Sequence, residues 1–303
     1  MTLPNYVLIT PVRDEAQFIE LTIRSVVAQT VLPIKWIIVS DGSTDGTDDI
    51  VRKYAADHPW IELLRMPERR ERHFAGKVQA FNAGYARVSA LEYGAIGNLD
   101  GDVSFDDPDY FAFLLGKLVE NPSLGLVGSA FTDASNETYD YRFVSIEHVT
   151  GTCQLFRRQC FEAIGGYMPV KGGCIDYIAV VSARMKGWKT RTFTEKMGLH
   201  HRGFGTAEHG VLMSKFKYGV KDYATGNNVI WELFRTVYQM TQRPYVIGAL
   251  ALASGYVWSL MRRPARPITP EMVAFIRREQ MRRLKALLSG FRPKASLKIQ
   301  ACK

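Results

Sequence analysis

The chain has few cysteines and no metal-binding pattern among them. Its four cysteines, Cys153, Cys160, Cys174 and Cys302, form no C-x-x-C pair and have no histidine at a zinc-site spacing, which argues against a zinc-binding module. The first residues lack the basic segment and the apolar core of a secretory signal peptide. We therefore expect reduced thiols and a cytoplasmic protein.

Internal repeats and low-complexity segments are also missing from the sequence. Their absence argues against a repeat array or a long disordered segment. The 303 residues are 47% hydrophobic and 23% charged, which is an ordinary globular composition. This length fits one large domain with an appendage or two modest domains.

Acidic residues are almost absent from the last part of the chain. Residues 262–303 contain 12 Lys and Arg against Glu271 and Glu279, a net charge of +10, whereas the whole chain carries +9. The first 261 residues are therefore nearly neutral, which argues against a catalytic domain that wraps nucleic acid. We expect no nucleic-acid partner and a basic tail that meets an anionic membrane surface.

Short apolar strands alternate with amphipathic helices over the first hundred residues. Predicted strands cover residues 6–10, 34–40, 61–65 and 93–99, and predicted helices cover 19–29, 47–56 and 77–91. This spacing predicts an α/β fold with a Rossmann-like, mostly parallel central sheet flanked by helices. Ligands of such sheets bind beyond the carboxyl ends of the strands, where Thr10, Pro11, Asp41 and residues 100–102 lie.

The pattern changes after residue 104. A predicted helix (109–120) and strand (124–131) precede a mixed region, in which a helix over 177–186 and a strand-like stretch at 189–193 are predicted. Residues 244–261 then form an uncharged apolar run between Arg243 and the pair Arg262-Arg263. A basic helix is predicted over 271–288.

Two carboxylates, Asp100 and Asp102, follow the predicted strand 93–99 with only Gly101 between them. Side chains two residues apart on a strand share a face, and like charges this close raise each other's pKa. A divalent cation would relieve the repulsion, since Mg²⁺ commonly bridges one or two carboxylates to substrate phosphates. The alternative is a surface turn, because Asp and Gly are ordinary turn residues.

Three ordered segments resemble the signature sequences of family-2 glycosyltransferases: ITPVRDE (9–15), VSDGSTDGT (39–47) and NLDGD (98–102). Further matches at 77–84, 151–158 and 164–167, and at Asp176 with Gly187, extend the resemblance over roughly residues 5–205. The resemblance implies a GT-A fold and an inverting enzyme of the bacterial type. It also implies a non-processive enzyme, because the Q-x-x-R-W stretch of processive synthases is absent. It also implies a catalytic domain at 1–235, with a nucleotide-binding half (1–104) and an acceptor-binding half (105–235). A C-terminal apolar helix and basic tail (236–303) would form a membrane-associating extension.

The resemblance assigns the donor and the metal to the strand ends. It implies that Asp41 binds the nucleotide base, and that the other donor contacts are Thr10, Pro11, Asp14, Glu15, Lys77, Asp100 and Arg202. Asp102, with Asp100 and His201, would hold Mg²⁺ or Mn²⁺. Structural alternatives stay open. Asp41 could cap the following helix or form an Asx turn that opens it. Asp14 and Glu15 could complement a helix dipole. Lys77, with Arg69, Arg70 and Arg72 before it, could be solvated, and His200 and His201 could be loop residues without a ligand.

Asp176 is the implied catalytic base, with Gly151, Thr152 and Ile175 on the acceptor side. An inverting transfer needs a carboxylate that takes the proton of the attacking hydroxyl. The spacing from Asp176 to Gly187 follows the family pattern, but Ile175 stands where a second acid is usual and Ser182 where an Arg is common. The alternative role for Asp176 is an N-cap of the predicted helix.

The resemblance implies the transfer of a single sugar from a nucleotide-diphosphate sugar, such as a UDP- or GDP-sugar, to a hydroxyl acceptor. A lipid-linked glycan or another intermediate of surface polysaccharide synthesis is the expected acceptor. One alternative is a sugar nucleotidyltransferase, although residues 11–15 do not form the Gly-rich basic loop that such an enzyme needs. The other is a membrane-recruited nucleotide-sugar-binding protein without transfer activity.

The apolar run 244–261 is at the short limit for crossing a ~30 Å hydrocarbon core. A single crossing would place the +10 tail outside, against the positive-inside tendency. We therefore expect peripheral association with the cytoplasmic face of the inner membrane. The alternative is a helix that packs on the catalytic domain.

Overall fold

An eight-stranded sheet organises the first part of the protein. The structure is a computed structural model that describes residues 2–68, 74–134, 145–170, 172–202 and 210–289. The chain divides into two units, Met1–Gly203 and Phe204–Lys303. The division predicted after residue 235 falls within a helix, Val229–Gln239.

The first unit begins with the predicted alternation of strands and helices. The strands are β1 (Tyr6–Val12), β2 (Lys35–Asp41), β3 (Ile61–Met66) and β4 (Ala95–Leu99), with helices α1 (Ile19–Val27), α2 (Thr47–Asp57) and α3 (Phe74–Val88) between them. These strands are parallel and lie in the order β3-β2-β1-β4. Because helices cover both faces, β1, β2 and β4 are buried almost throughout, which explains their continuous apolar sequences.

The sheet continues as a mixed sheet beyond β4. The added strands are β5 (Val103–Ser104), β6 (Leu124–Asp133), β7 (Cys153–Arg157) and β8 (Lys189–His200), in the spatial order β4-β7-β6-β8-β5. β7 is antiparallel to both neighbours. The helices of this part are α4 (Tyr110–Glu120), α5 (Arg158–Ile164) and α6 (Ile175–Met185).

Strand β8 is longer than the sequence predicts. The predicted stretch ends at residue 193, but the strand continues to His200 after a register shift opposite Ser129 and Ala130. Its last residues pair with the end of β6 and with β5. This long-range pairing carries residues 200–202 to the carboxyl end of β4.

The second unit, as far as the structure describes it, consists of helices. They are α7 (Val211–Ala224), α8 (Val229–Gln239), α9 (Tyr245–Arg262) and α10 (Pro270–Leu288). α7 and α9 approach closely through glycines: a Cβ on Gly219 would lie 2.0 Å from the Leu252 carbonyl oxygen, and one on Gly255 would lie 2.0 Å from that of Phe216. None of the helices within the described residues is both long enough and apolar enough to traverse a bilayer.

Candidate active site

The segment 100–103 lies at the carboxyl end of β4, and neighbouring elements fix its backbone. The Asp100 N–H donates to the Thr152 carbonyl oxygen (2.9 Å), and the His201 N–H donates to the Asp102 carbonyl oxygen (2.9 Å). A Cβ on Gly101 would lie 2.7 Å from Val12 Cγ1, so this turn has room only for glycine. The two aspartates are therefore held in a defined geometry.

Thr22 on α1 holds the same segment, 100–103, through two hydrogen bonds. Its buried Oγ1 donates to the Gly101 carbonyl oxygen (2.9 Å) and accepts from the Val103 N–H (3.2 Å). These two bonds flank Asp102 on both sides along the chain. Thr22 is not predictable from the sequence, because a threonine inside an amphipathic helix gives no local signal of such a contact.

Asp100 pairs with the cation predicted to contact the donor. Lys77 Nζ on α3 donates to Asp100 Oδ1. Burial raises the pKa of Asp100, although the Lys77 charge opposes this effect. Burial would lower the pKa of Lys77, but Asp100 outweighs it, followed by Asp176 and Asp102, and the pKa lies above its ordinary value. Lys77 is therefore charged, pairs directly with Asp100 and interacts electrostatically with Asp176 and Asp102.

Asp102 is surrounded by positive charge from the end of β8. Its Oδ2 lies 3.4 Å from His200 Nε2 and 3.7 Å from Arg202 Nε. Burial opposes ionisation of Asp102, but the hydrogen bond and charge of His200, together with Arg202 and Lys77, lower its pKa. Asp102 is consequently an anion, and the pKa of His200 is raised because Asp102 outweighs the effect of burial.

His201, the histidine predicted as a metal ligand, points elsewhere. Its Nε2 lies 2.9 Å from Ser104 Oγ, and its ring stacks on Phe18 with a centroid distance of 5.7 Å. Neighbouring residues at a strand end project to opposite sides. The His200 imidazole therefore lies beside the Asp102 carboxylate, whereas His201 bonds Asp102 through its backbone N–H. The pairing of β8 with β5 decides which of the two histidines faces the site, and the sequence does not reveal this pairing.

Asp14 and Glu15 connect loops at the carboxyl edge of the sheet. Asp14 adopts a left-handed conformation (φ 55°), and its Oδ1 accepts from the Thr44 N–H (2.9 Å). Glu15 is buried, donates its N–H to Thr47 Oγ1 (2.8 Å) and accepts from Arg202 Nη2 (2.6 Å). Glu15 thereby holds the guanidinium that also faces Asp102.

The predicted base-binding residues lie at the ends of β1 and β2. Asp41 is the last residue of β2 and is mostly buried. The cap alternative for Asp41 is wrong, because Gly46 occupies the N-cap of α2. Thr10 is fully buried and its Oγ1 accepts from Trp36 Nε1 (2.9 Å), so its side chain is enclosed in the sheet. Pro11 is half-buried beside it.

Asp176 lies in the first turn of α6 and faces the segment before β7. Its Oδ2 accepts from the Gly151 N–H (3.2 Å), and a Cβ on Gly151 would lie only 3.1 Å from Asp176 Cβ. The N-cap alternative is wrong, because Cys174, with φ 62°, occupies the N-cap. The predicted acceptor residues Thr152 and Ile175 are both buried, and Thr152 joins this edge to Asp100.

Gln154 on β7 supports the Asp176 turn and was not predicted. Its side chain is fully buried, and Nε2 donates to the carbonyl oxygens of Val149 (2.9 Å) and Asp176 (3.4 Å). Its Oε1 accepts from the Tyr167 hydroxyl (2.7 Å). A buried glutamine in an apolar strand was a signal available in the sequence, since such a group requires partners.

The carboxylate oxygens at the end of β4 fit a hard divalent cation whose remaining ligands would be phosphate oxygens of the substrate. Within the described residues, no group of three or more His, Cys, Asp or Glu side chains forms a metal cage. Two ionisable carboxylates on one turn are nevertheless the protein ligands that Mg²⁺ commonly uses together with phosphates. The residues present are therefore compatible with the expected Mg²⁺ or Mn²⁺.

Comparison with known proteins identifies the family. The sequence model described as glycosyl transferase family 2 matches residues 7–165. The chain belongs to glycosyl transferase family 2. Glycosyltransferase AglE of Haloferax volcanii is 27% identical over 295 residues, covering 89% of this chain and 90% of that protein. A chondroitin synthase of Pasteurella multocida is 27% identical over 125 residues, which cover 41% of this chain but 12% of the synthase.

Solved structures of glycosyltransferases have the same fold. The mannosyltransferase PcManGT of Pyrobaculum calidifontis, in complex with GDP-Man and Mn²⁺, superposes with a TM-score of 0.59 at 18% identity and covers 97% of this chain and 82% of that one. TarS of S. aureus in complex with UDP-GlcNAc gives a TM-score of 0.55 at 12% identity, with 84% and 71% covered. The predicted family, GT-A fold and enzyme class are confirmed: this family-2 chain is a glycosyltransferase.

Proposed function

We propose that this glycosyltransferase moves one sugar from a nucleotide-diphosphate sugar to a hydroxyl acceptor by metal-dependent, inverting displacement. The observation that carries the proposal is the turn at the end of β4, where Asp100 pairs with Lys77 and Asp102 lies beside His200 and Arg202. Residues 151 and 152 join this turn to Asp176. Both charge signs thus lie together at the strand ends, where ligands of such sheets bind.

The donor side would consist of Asp41 for the base and of Lys77 and Arg202 for the diphosphate. Asp102 and Asp100 would hold Mg²⁺ or Mn²⁺, with His200 as the histidine placed to assist. The cation would supply charge neutralisation at the leaving diphosphate. A GDP-sugar or a UDP-sugar suits this arrangement, in line with the ligands of PcManGT and TarS. Pro11, Asp14 and Glu15 would shape the nucleotide pocket.

The acceptor side would consist of Asp176 with Gly151, Thr152 and Ile175. Asp176 Oδ2 accepts a backbone hydrogen bond from Gly151, which leaves Oδ1 to take the proton of the attacking hydroxyl. Ile175 contributes an apolar surface where a second carboxylate is usual in the family. This arrangement favours direct displacement, because a single base is sufficient for inversion.

The expected acceptor is a lipid-linked glycan intermediate, and the expected location is the cytoplasmic face of the inner membrane. The support for a membrane surface is the charge pattern of the sequence, with a net charge of +10 over residues 262–303. The last part of this tail, 290–303, and the basic residues Arg69, Arg70 and Arg72 lie outside the described residues.

Two aspartate variants separate donor binding from transfer. Asp102→Asn should weaken Mn²⁺-dependent nucleotide-sugar binding about tenfold or more in calorimetry, because it removes a metal ligand. Asp176→Asn should bind the donor normally and transfer ~10²–10⁴-fold more slowly, the usual contribution of a general base. Asp49→Asn, on an exposed carboxylate of α2, is the matched control and should change neither.

Near-normal transfer by Asp176→Asn would refute the assigned base. Transfer by the unaltered protein that is independent of metal would refute the role of Asp102. If the unaltered protein binds nucleotide sugars but transfers nothing to a panel of lipid-linked acceptors, the non-catalytic alternative is correct.

A further inference from the structure

Exposed apolar side chains are concentrated in the second unit. Seventeen of the large apolar side chains that are exposed among the described residues lie between Val211 and Met261, against five in the larger first unit. Soluble surfaces expose such residues singly, and a concentration of them marks an interaction surface.

Helix α8 is amphipathic, but its apolar side is exposed and its polar side is buried. Its apolar residues on one side, exposed by 55–65%, are Val229, Ile230, Leu233 and Val237, and Met240 at its C-cap is exposed by 41%. Its buried residues are the polar Glu232 and Gln239. Glu232 faces Asn227 and the Asp222–Arg235 pair inside the unit. A helix in water buries its apolar side, so this orientation indicates an apolar environment outside.

Helix α9 has mostly small residues on its buried side and large apolar residues on its exposed side. Four of its six buried residues are small, namely Gly248, Ala249, Gly255 and Ser259, and the other two are Leu252 and Tyr256. The helix packs on α7 through Gly255. Its large apolar residues face outward with exposures of 42–75%: Tyr245, Val246, Ile247, Leu250, Val257, Trp258, Leu260 and Met261. Small residues at a helix contact allow close approach, and the large side chains remain for an external partner.

The charges identify that partner. Between residues 229 and 269 the only acidic residue is Glu232, which is buried, whereas five arginines are present. Arg243 precedes α9 and Arg262 ends it, both exposed. The Arg262 guanidinium lies 4.4 Å from the Trp258 ring centroid. Exposed Tyr and Trp beside Arg are typical of the membrane–water interface, and the positive charge suits anionic headgroups.

We propose that the outward faces of α8 and α9 bind an anionic phospholipid bilayer and lie along its surface. An in-plane arrangement follows from the amphipathic α8 with basic flanks, and none of the described helices is suited to cross. The inference rests on the membrane partner named in the proposed function. It assigns the lipid contact to α8 and α9 instead of the basic tail alone.

Vesicle flotation of the full chain tests the proposal. The probes are phosphatidylcholine vesicles with and without 30% phosphatidylglycerol (about one lipid in three, enough for a negative surface potential). We expect binding to the anionic vesicles, with a blue shift of Trp fluorescence, and at least tenfold weaker binding to neutral ones. Leu233→Glu and Ile247→Glu, each at an exposed position, should weaken anionic binding at least tenfold. Leu32→Glu, at an exposed apolar position of the first unit, should not weaken it.

Three outcomes would overturn the proposal. The first is unchanged flotation of both Glu variants while removal of residues 290–303 abolishes it, since the tail would then be the anchor. The second is equal binding to neutral vesicles. The third is no vesicle binding but a concentration-dependent dimer that Leu233→Glu dissociates, which would make the surface an interface between two copies. Flotation does not measure transfer, so an inactive Asp176→Asn protein should float normally.

Discussion

Replacement of Thr22 by valine would remove one hydroxyl from the aspartate turn and keep the shape of the side chain. The lost atom is the Oγ1 that bonds the Gly101 carbonyl oxygen at 2.9 Å and the Val103 N–H at 3.2 Å. Both bonds are buried, so the two backbone groups would be left without these partners. The turn that carries Asp102 would then be free to shift.

The expected loss of stability follows from these two bonds. A net hydrogen bond contributes about 1 kcal/mol, and a buried polar group left without a partner costs about 1–3 kcal/mol. We expect Thr22→Val to lower the free energy of unfolding by about 2–4 kcal/mol. If about 1.4 kcal/mol of this energy holds Asp102 in its ligating position, the Mn²⁺ concentration for half-maximal nucleotide binding should rise about tenfold.

Urea denaturation and Mn²⁺ titration of nucleotide-sugar binding measure the two effects. Thr22→Ser keeps the hydroxyl and should restore the Mn²⁺ requirement. Ser25→Ala is the matched control on the same helix, because Ser25 Oγ bonds only within α1, to the Thr22 carbonyl oxygen at 2.9 Å, among the contacts described. It should lower stability without changing the Mn²⁺ requirement. A Thr22→Val protein with lowered stability and an unchanged Mn²⁺ requirement would refute the positioning role.

Two further predictions concern titrating residues. Burial raises the pKa of Glu232 from 4.5 to about 7, so the folded state binds this proton more tightly. The free energy of unfolding should therefore fall by roughly 3 kcal/mol as pH rises from about 4.5 to 7. Urea denaturation at pH 5 and pH 8 measures this difference, and Glu232→Gln should reduce it. An unchanged difference in the variant would contradict the assignment to Glu232. His200→Ala should weaken Mn²⁺-dependent nucleotide binding about tenfold, whereas His201→Ala should change it less than threefold by calorimetry, and the reverse order would restore His201 as the metal-facing histidine.

The parts of the fold that the sequence predicts are those encoded locally. β1, β2 and β4 were predictable because strands covered on both faces read as uninterrupted apolar runs. Asp41 and Asp100 could be placed at the same edge of the sheet because parallel strands end at a common edge. The beginning of α6 was predicted at residue 177 but lies at Ile175, since the chain enters that helix through a left-handed Cys174.

The parts that the sequence does not predict depend on distant pairing. Thr22 reaches a carbonyl 79 residues away, and the choice between His200 and His201 depends on the register of β8 against β5. The apolar stripe of α8 is visible in the sequence, but the pattern alone indicates a face that packs inward. Only the burial of Glu232 and Gln239 shows that the stripe faces outward.

The return of β8 to the carboxyl end of β4 also bears on how members of this family could diverge. The portion matched by the family model, 7–165, contains Asp100 and Asp102 but ends before Asp176, His200 and Arg202. Segment 166–202 thus supplies the carboxylate assigned to the acceptor and the two basic side chains beside Asp102. Exchange of this one contiguous segment between relatives would replace the assigned base and the Arg202 contact to Glu15 together, while Asp41 and the Asp100–Asp102 turn stayed in place. Such an exchange would therefore couple a change of acceptor to a change in the contacts assigned to the diphosphate.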